Sequence, residues 1–192
     1  MSHFEIVSLS PQYQEEFKNF LLRLDNKTLR NYTRFGTFID EEAAEKIAAR
    51  MTKIEPEKEL GFILIDKTNG RIAAYAHLEF FAKKGKEHVA RMGIVVSPEY
   101  QNMGLGKILM KHIIGKAKEI GLTKIWLSVY LDNKVALHFY KSFGFIIEGI
   151  FHKEEREGKK FRDVVSMALF LDGSITQEKA IKKYLKVCRS VS

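Results

Sequence analysis

Two stretches of this sequence place chemically capable groups at informative spacings. In the first, the β-branched run Ile94-Val95-Val96 leads through Ser97-Pro98-Glu99-Tyr100-Gln101-Asn102-Met103 into Gly104-Leu105-Gly106-Lys107 and a helical pattern. Glycine accepts positive φ and lets backbone approach a ligand closely. A helix start leaves N–H groups unpaired and carries a partial positive charge. Strand, glycine turn and helix start together make a site for a pyrophosphate. A Walker loop would end in Gly-Lys-Ser/Thr, which is absent; the third glycine of a dinucleotide-binding turn is missing too. The plain alternative is a tight strand-to-helix turn without a ligand. The second stretch is Asn133-x-x-Ala136-x-x-x-Tyr140-x-x-x-Gly144-Phe145. Ala136 and Tyr140 share a helical face. Asn133 stands where a helix cap would, and Tyr140 alone reads as a half-buried core aromatic.

Both stretches resemble motifs of the GNAT superfamily of acetyl-CoA-dependent N-acetyltransferases. The first matches its Val-x-Pro and Gln/Arg-x-x-Gly-x-Gly/Ala pattern at Val96, Pro98, Gln101, Gly104 and Gly106. The second matches its Asn-x-x-Ala-x-x-x-Tyr-x-x-x-Gly-Phe pattern at Asn133, Ala136, Tyr140, Gly144 and Phe145. Two motifs in the right order are far more specific than either alone. The resemblance covers about residues 60–171 and implies acetyl-CoA as acyl donor, with no metal. It implies that Ile94, Val95 and Val96 line the pantetheine arm, and that Gln101, Asn102, Met103, Gly104, Leu105, Gly106 and Lys107 cradle the diphosphate. It further implies that Asn133 contacts the cofactor and that the Tyr140 hydroxyl lies near its sulfur. A phenol of pKa about 10 stays protonated at neutral pH and can donate to a leaving thiolate.

The pattern departs from the family at the general base. Some members carry a Glu at the positions that here are Ala90 and Ser128, and neither residue is a base. His88, His77, Glu79, Tyr130 or a water chain are the nearby candidates, and no base is assigned. Ser128 also argues against a ribosomal-protein N-terminal acetyltransferase, whose motif has Glu there. The stretch from Gly149 to Met167 more closely resembles members acting on small amines, including polyamine and amino-acid acetyltransferases. Glu148, Glu154, Glu155 and Asp163 are candidates to meet a cationic amine. The expected activity is acetyl transfer to a primary amine of a small molecule by direct attack in a ternary complex. The alternatives are a protein N-terminal or lysine acetyltransferase, and a non-catalytic acyl-CoA-binding module.

The elements that must hold these groups are legible as periodicities. Phe4–Leu9 reads as a strand and Gln12–Leu24 as a helix. Ala43, Ala44, Ile47, Ala48 and Met51 give Glu41–Lys53 a helical pattern. Asn26–Ile39 is ambiguous, with Tyr32, Phe35 and Phe38 as candidates to cover one side of a pocket. Leu60–Asp66 and Arg71–Phe81 form a hairpin through Asn69-Gly70, and His88–Val96 is a third strand. Gly106–Ile120 is an amphipathic helix closed by Gly121. Lys124–Tyr130 is a strand and Asn133–Phe143 a helix. Phe145–Phe151 and Val164–Leu171 form a hairpin around Glu154–Lys160, and Thr176–Cys188 is a basic terminal helix. The order predicts an α/β (α+β) fold: a mixed, largely antiparallel sheet of about seven strands, helices on both faces, and one parallel crossover from His88 to Tyr130.

At 192 residues the chain fits a single domain. No stretch approaches the roughly 20 apolar residues of a membrane span, and Met1–Leu9 lacks the pattern of a secretory leader. Cys188 is the only cysteine, which excludes an intramolecular disulfide and a cysteine-rich zinc site and suits a reducing cytoplasm. The formal net charge is +8, so anions are favoured partners. The basic residues are dispersed and no nucleic-acid motif accompanies them, so nucleic acid ranks last among the partners. A homodimer is left open.

Overall fold

The computed structural model describes residues 3–190. Met1 and Ser2, part of the stretch read for a leader, lie outside the described residues, as does the side chain of Cys188.

Seven strands form one sheet in the order β1-β2-β3-β4-β5-β7-β6. They are β1 (Phe4–Ser8), β2 (Glu59–Asp66), β3 (Arg71–Phe80), β4 (Val89–Val96), β5 (Lys124–Tyr130), β6 (Ile146–Glu157) and β7 (Lys160–Phe170). Every neighbouring pair is antiparallel except β4 and β5. The β2–β3 turn is built by Asp66, whose Oδ1 accepts from the Thr68 N–H at 3.0 Å, and by Gly70 at φ +73°. Ala73 is an extra residue on β3, because Leu64 faces Ala74 while Ile65 faces Ile72.

Helices cover both faces, as the alternation of apolar residues requires. On one face α4 (Leu105–Glu119) and α5 (Lys134–Ser142) share a core with Phe62, Leu64, Ala76 and Leu78. Leu105, Leu109, Ile113 and Ala117 recur every four residues and are buried, which is the stripe that seats α4. On the other face α1 (Gln14–Leu22), α2 (Asn26–Asn31) and α3 (Glu41–Met51) enclose a second core with Ile63, Ile72, Tyr75 and Val95. There Phe17 is fully buried, edge-on to Tyr75 with ring centroids 5.1 Å apart. The remaining helix, α6 (Gln177–Ser190), reaches the outer strand, where Gln177 Oε1 accepts from the Ile147 N–H at 2.8 Å. Among the described residues no helix is long and apolar enough to cross a membrane.

Three segments differ from their expected form. Pro11–Tyr13 is a turn of 3-10 helix ahead of α1, with Pro11 opening it. The ambiguous stretch holds α2, whose 6 residues are too few to show a period; Asp25 caps it by accepting from the Thr28 N–H at 2.8 Å. The last hairpin is longer than expected. Its strands run to Glu157 and from Lys160, turning at Gly158, where φ is +60°. Its outer half is charged and, apart from the buried Arg162, largely exposed, so no apolar alternation marks it. Register shifts at Ile147/Gly149 and Phe151/Glu155 bend this arm.

Candidate active site

β4 and β5 are paired at only three positions, Val89 with Lys124, Ala90 with Ile125 and Arg91 with Trp126. Beyond these the strands part. The opening is the floor of a cavity of about 930 Å³. β4 remains paired with β3 as far as Val96, so its other edge presents unpaired backbone groups to the cavity. Ile94 and Val96 turn toward α4 and α5. Val95 turns the opposite way, into the α1–α3 core, and gives the cavity only its backbone.

At the end of β4 the chain makes a short 3-10 turn and enters α4. Gly104 is the N-cap, in the left-handed region at φ +80°, and Asn102 precedes it at φ +63°. The first backbone bond of the helix is from the Lys107 N–H to the Gly104 carbonyl, 3.0 Å. The N–H groups of Asn102, Met103, Gly104, Leu105 and Gly106 find no acceptor among the described residues. Nothing lies within 4 Å of a Cβ built on Gly104. A row of bare N–H groups at a helix start, flanked by Lys107, fits a diphosphate. Gln101 links this turn to α2, its Nε2 donating to Thr28 Oγ1 at 3.2 Å. All the residues expected to hold the cofactor line the cavity except Met103, which is 56% exposed to solvent.

Opposite the turn stands α5. Asn133 Oδ1 caps it, accepting from the Ala136 N–H at 3.1 Å. That uses the oxygen and leaves the side-chain NH₂ without a partner among the described residues. Asn133 is therefore a cap and a lining residue at once. Tyr140 is 9% exposed, packed between Phe139 and Phe145 with centroids at 5.5 and 5.6 Å. Its hydroxyl has no hydrogen-bond partner among the described residues. Burial raises its pKa above the ordinary phenol value, so it is a donor throughout the physiological range.

A third group of residues is not legible as a unit in the sequence. His77 on β3 is buried, with Nδ1 3.0 Å from Tyr32 Oη and Nε2 3.0 Å from the Arg34 guanidinium. Arg34 also pairs with Glu59 and, at 3.3 Å, with Glu79. Tyr75 donates to Glu59 at 3.0 Å, and Arg91 pairs with Glu79 at 2.6 Å. Burial, with Arg34 and Arg91 adding to it, pushes the His77 pKa well below its usual value. Burial likewise raises Glu59 against the pull of Arg34. Alternation places Tyr75, His77 and Glu79 on one face of β3, but nothing in the chain's linear order joins that face to Tyr32 and Arg34.

The sequence-level candidates for a base fare differently. His88 is exposed, at the opposite end of β4 from the glycine turn. His77 has both ring nitrogens engaged. Glu79 is held by two arginines. Tyr130 bonds Glu155 and stacks under Arg162, 3.3 Å from its ring. Ala90 is fully buried, whereas Ser128 faces the cavity. None of Glu148, Glu154, Glu155 and Asp163 lines the cavity. Glu148 pairs with Lys124, and Asp163 accepts from the Lys153 N–H at 2.8 Å, so these acids shape the arm. Of the three aromatics read as pocket cover, Tyr32 lines the cavity, Phe35 is in the α1–α3 core and Phe38 is exposed. Among the described residues no group of three or more His, Cys, Asp or Glu is placed to hold a metal ion.

Known proteins point the same way. The model of the Acetyltransferase (GNAT) family matches residues 13–145. The [Ribosomal protein bS18]-alanine N-acetyltransferase of Escherichia coli K12 is 34% identical over 89 residues, 46% of this chain and 56% of that protein. The L-amino acid N-acyltransferase MnaT of the same organism is 25% identical over 111 residues, 57% of this chain and 64% of its own. The matches thus span less than two thirds of these relatives' lengths. A GNAT-family acetyltransferase structure from Streptococcus pneumoniae superposes with a TM-score of 0.70 at 25% identity, over 87% of this chain and 99% of that one.

Proposed function

The chain belongs to the acetyltransferase (GNAT) family, and on that premise we propose that it transfers an acetyl group from acetyl-CoA to the primary amine of a small molecule. The observation that carries this reading is the run of unpaired N–H groups from Asn102 to Gly106, opening on a cavity that Tyr140 also lines. The thioester supplies an activated acyl group. The amides and Lys107 hold its diphosphate, and the free edge of β4 guides the arm toward Tyr140. The amine attacks directly, within a ternary complex. Tyr140 gives its proton to the departing sulfur, and the cavity mouth returns one from solvent.

The β6–β7 arm is tied to α2, whose Lys27, Thr28 and Asn31 line the cavity. Arg162 of the β6–β7 arm reaches the Arg30 carbonyl at 3.3 Å and Asp132 at 2.6 Å, and Arg30 pairs with Glu157 at 2.6 Å. A wall held in place in this way favours a small amine over a protein surface. Among the described residues the cavity is lined by Lys27, Arg34, Arg91 and Lys107 and by no Asp or Glu, and the two carboxylates that pair with Arg34 and Arg91, Glu59 and Glu79, leave an excess of positive charge. An amine that also carries an acid group, such as an amino acid, suits that lining better than a polycation does. A peptide N-terminus is the second reading, supported by the relative that acetylates a ribosomal-protein alanine.

The test is thiol release from acetyl-CoA with L-amino acids, spermidine and an alanine-initiated peptide, with product mass measured in parallel. Release coupled to an acetylated amino acid is expected. Tight acetyl-CoA binding without thiol release from any of them would replace this reading with a non-catalytic binding module.

A further inference from the structure

We propose that Tyr32 is the residue that grips the acceptor amine and aims it at the acyl carbon, with His77 and Arg34 setting its hydroxyl. The proposal rests on the acetyltransferase reading and adds to it a group on the acceptor side.

The argument begins with hydrogen-bond direction. A guanidinium can only donate, so Arg34 Nη1, 3.0 Å from His77 Nε2, makes that nitrogen an acceptor. A neutral imidazole then carries its proton on Nδ1. That N–H, 3.0 Å from Tyr32 Oη, donates to the phenol oxygen. The Tyr32 hydrogen is left without an acceptor among the described residues, and so is one lone pair on its oxygen. Tyr32 lines the cavity, as Tyr140 does. A hydroxyl with one hydrogen to give and one lone pair to receive therefore faces the space where an amine must arrive.

The surroundings are built to keep it there. Arg34 is anchored by Glu59 and Glu79, and Glu59 by Tyr75. Burying such charges is costly unless each is paired. A network that only joined β2 to β3 would not need an aromatic hydroxyl at its cavity end. β4 yields to the pair as well: a Cβ on Gly93 would lie 2.5 Å from His77 Cε1 and 2.9 Å from Tyr32 Cε2. Glycine is thus required where β4 begins to part from β5. Tyr32 is also held from above, through its own N–H to the Thr28 carbonyl at 2.9 Å and through Arg162, which grips the preceding two residues of α2.

In the reaction the lone pair on Tyr32 Oη accepts one N–H of the neutral amine, which fixes the direction of the nitrogen lone pair. The N–C bond forms and the C–S bond breaks. The sulfur takes the Tyr140 proton, and the surplus proton on nitrogen leaves to water at the cavity mouth. Tyr32 keeps its own proton throughout, so it orients and does not serve as the base.

The experiment uses the full chain with the amine from the panel that it acetylates fastest. Tyr32→Phe keeps the ring and removes the hydroxyl. It should lower kcat/KM for the amine about 10- to 100-fold, while the dissociation constant for CoA, measured by calorimetry, stays at the wild-type value. His77→Asn keeps an N–H donor near the Nδ1 position and should retain more activity than His77→Ala. Because both act through one hydroxyl, Tyr32→Phe combined with His77→Asn should be no slower than Tyr32→Phe alone. Wild-type activity in Tyr32→Phe, additive losses in the double variant, or a parallel loss of CoA affinity would each overturn the proposal while leaving the acetyltransferase reading intact. Absence of turnover by the wild type with every amine would overturn both.

Discussion

Removing one oxygen from Tyr140 separates its packing from the proton donation proposed for it. The ring packs between Phe139 and Phe145, and Phe at this position preserves that contact. The hydroxyl has no partner to lose among the described residues. Tyr140→Phe should therefore unfold at the wild-type temperature, while kcat falls by about 10²- to 10⁴-fold, the usual worth of a positioned acid. Initial rates at saturating acetyl-CoA measure it, and full activity would remove Tyr140 from the mechanism. His77, beside its effect on rate, makes a prediction about stability. Its pKa in the folded chain lies below the ordinary histidine value, which the unfolded chain keeps at about 6.5. As pH falls below that value the unfolded chain gains a proton that the folded chain refuses. His77 thus stabilises fully above about pH 6.5, and that contribution is lost progressively on acidification toward the folded pKa. Between about pH 7.5 and about pH 5.5, urea midpoints should drop more in the wild type than in His77→Asn; equal slopes would show that His77 titrates normally. Tyr140 is legible in the chain because its motif is local, confined to one helix and its cap. The role of Tyr32 is not, because its partner is on β3 and the link between them is a ring nitrogen that sequence spacing does not address.

The glycine turn is legible as an element because it couples a β-branched strand to an amphipathic helix within one short segment. Its two glycines look alike in the sequence and differ in the structure. Gly104 has φ +80°, where any side chain is strained. Gly104→Ala should cost about 1–2 kcal/mol of stability, the penalty for an L-residue in that region. Gly106 lies just inside α4, and a Cβ there would sit at ordinary distance, 3.6 Å, from Val96 and Phe139. Gly106→Ala should fold as well as the wild type and keep its affinity for CoA, since the family pattern admits Ala at this position and the methyl meets only ordinary contacts. Thermal melts and CoA titrations of the two variants check this. A Gly106→Ala protein that lost its affinity for CoA would show that even a methyl at this turn blocks the ligand. α2 escapes a sequence reading for an equally physical reason. A helix of 6 residues cannot display a period, and its position depends on Asp25 at one end and on Gln101, from a distant turn, at its side.

Across the whole molecule the sheet is double-sided, and the alternation along β2 and β3 makes that readable: Phe62 and Leu64 face one core, Ile63 and Tyr75 the other. The parallel crossover is readable too, yet its most consequential feature is not. β4 and β5 pair for three positions and then diverge, and no residue type announces where a pair of strands will part. The long arm is hidden because its charged strands satisfy themselves through Tyr130, Asp132 and Arg30 in place of a core. These non-local features shape the cavity that the two local motifs serve. The central claim is the grip on the diphosphate by main-chain amides, and calorimetry with two ligands addresses it directly. CoA carries the diphosphate and pantetheine does not. CoA should bind one-to-one and at least about 100-fold more tightly than pantetheine, a difference of about 2.7 kcal/mol. No affinity for CoA, or equal affinity for the two, would contradict the account.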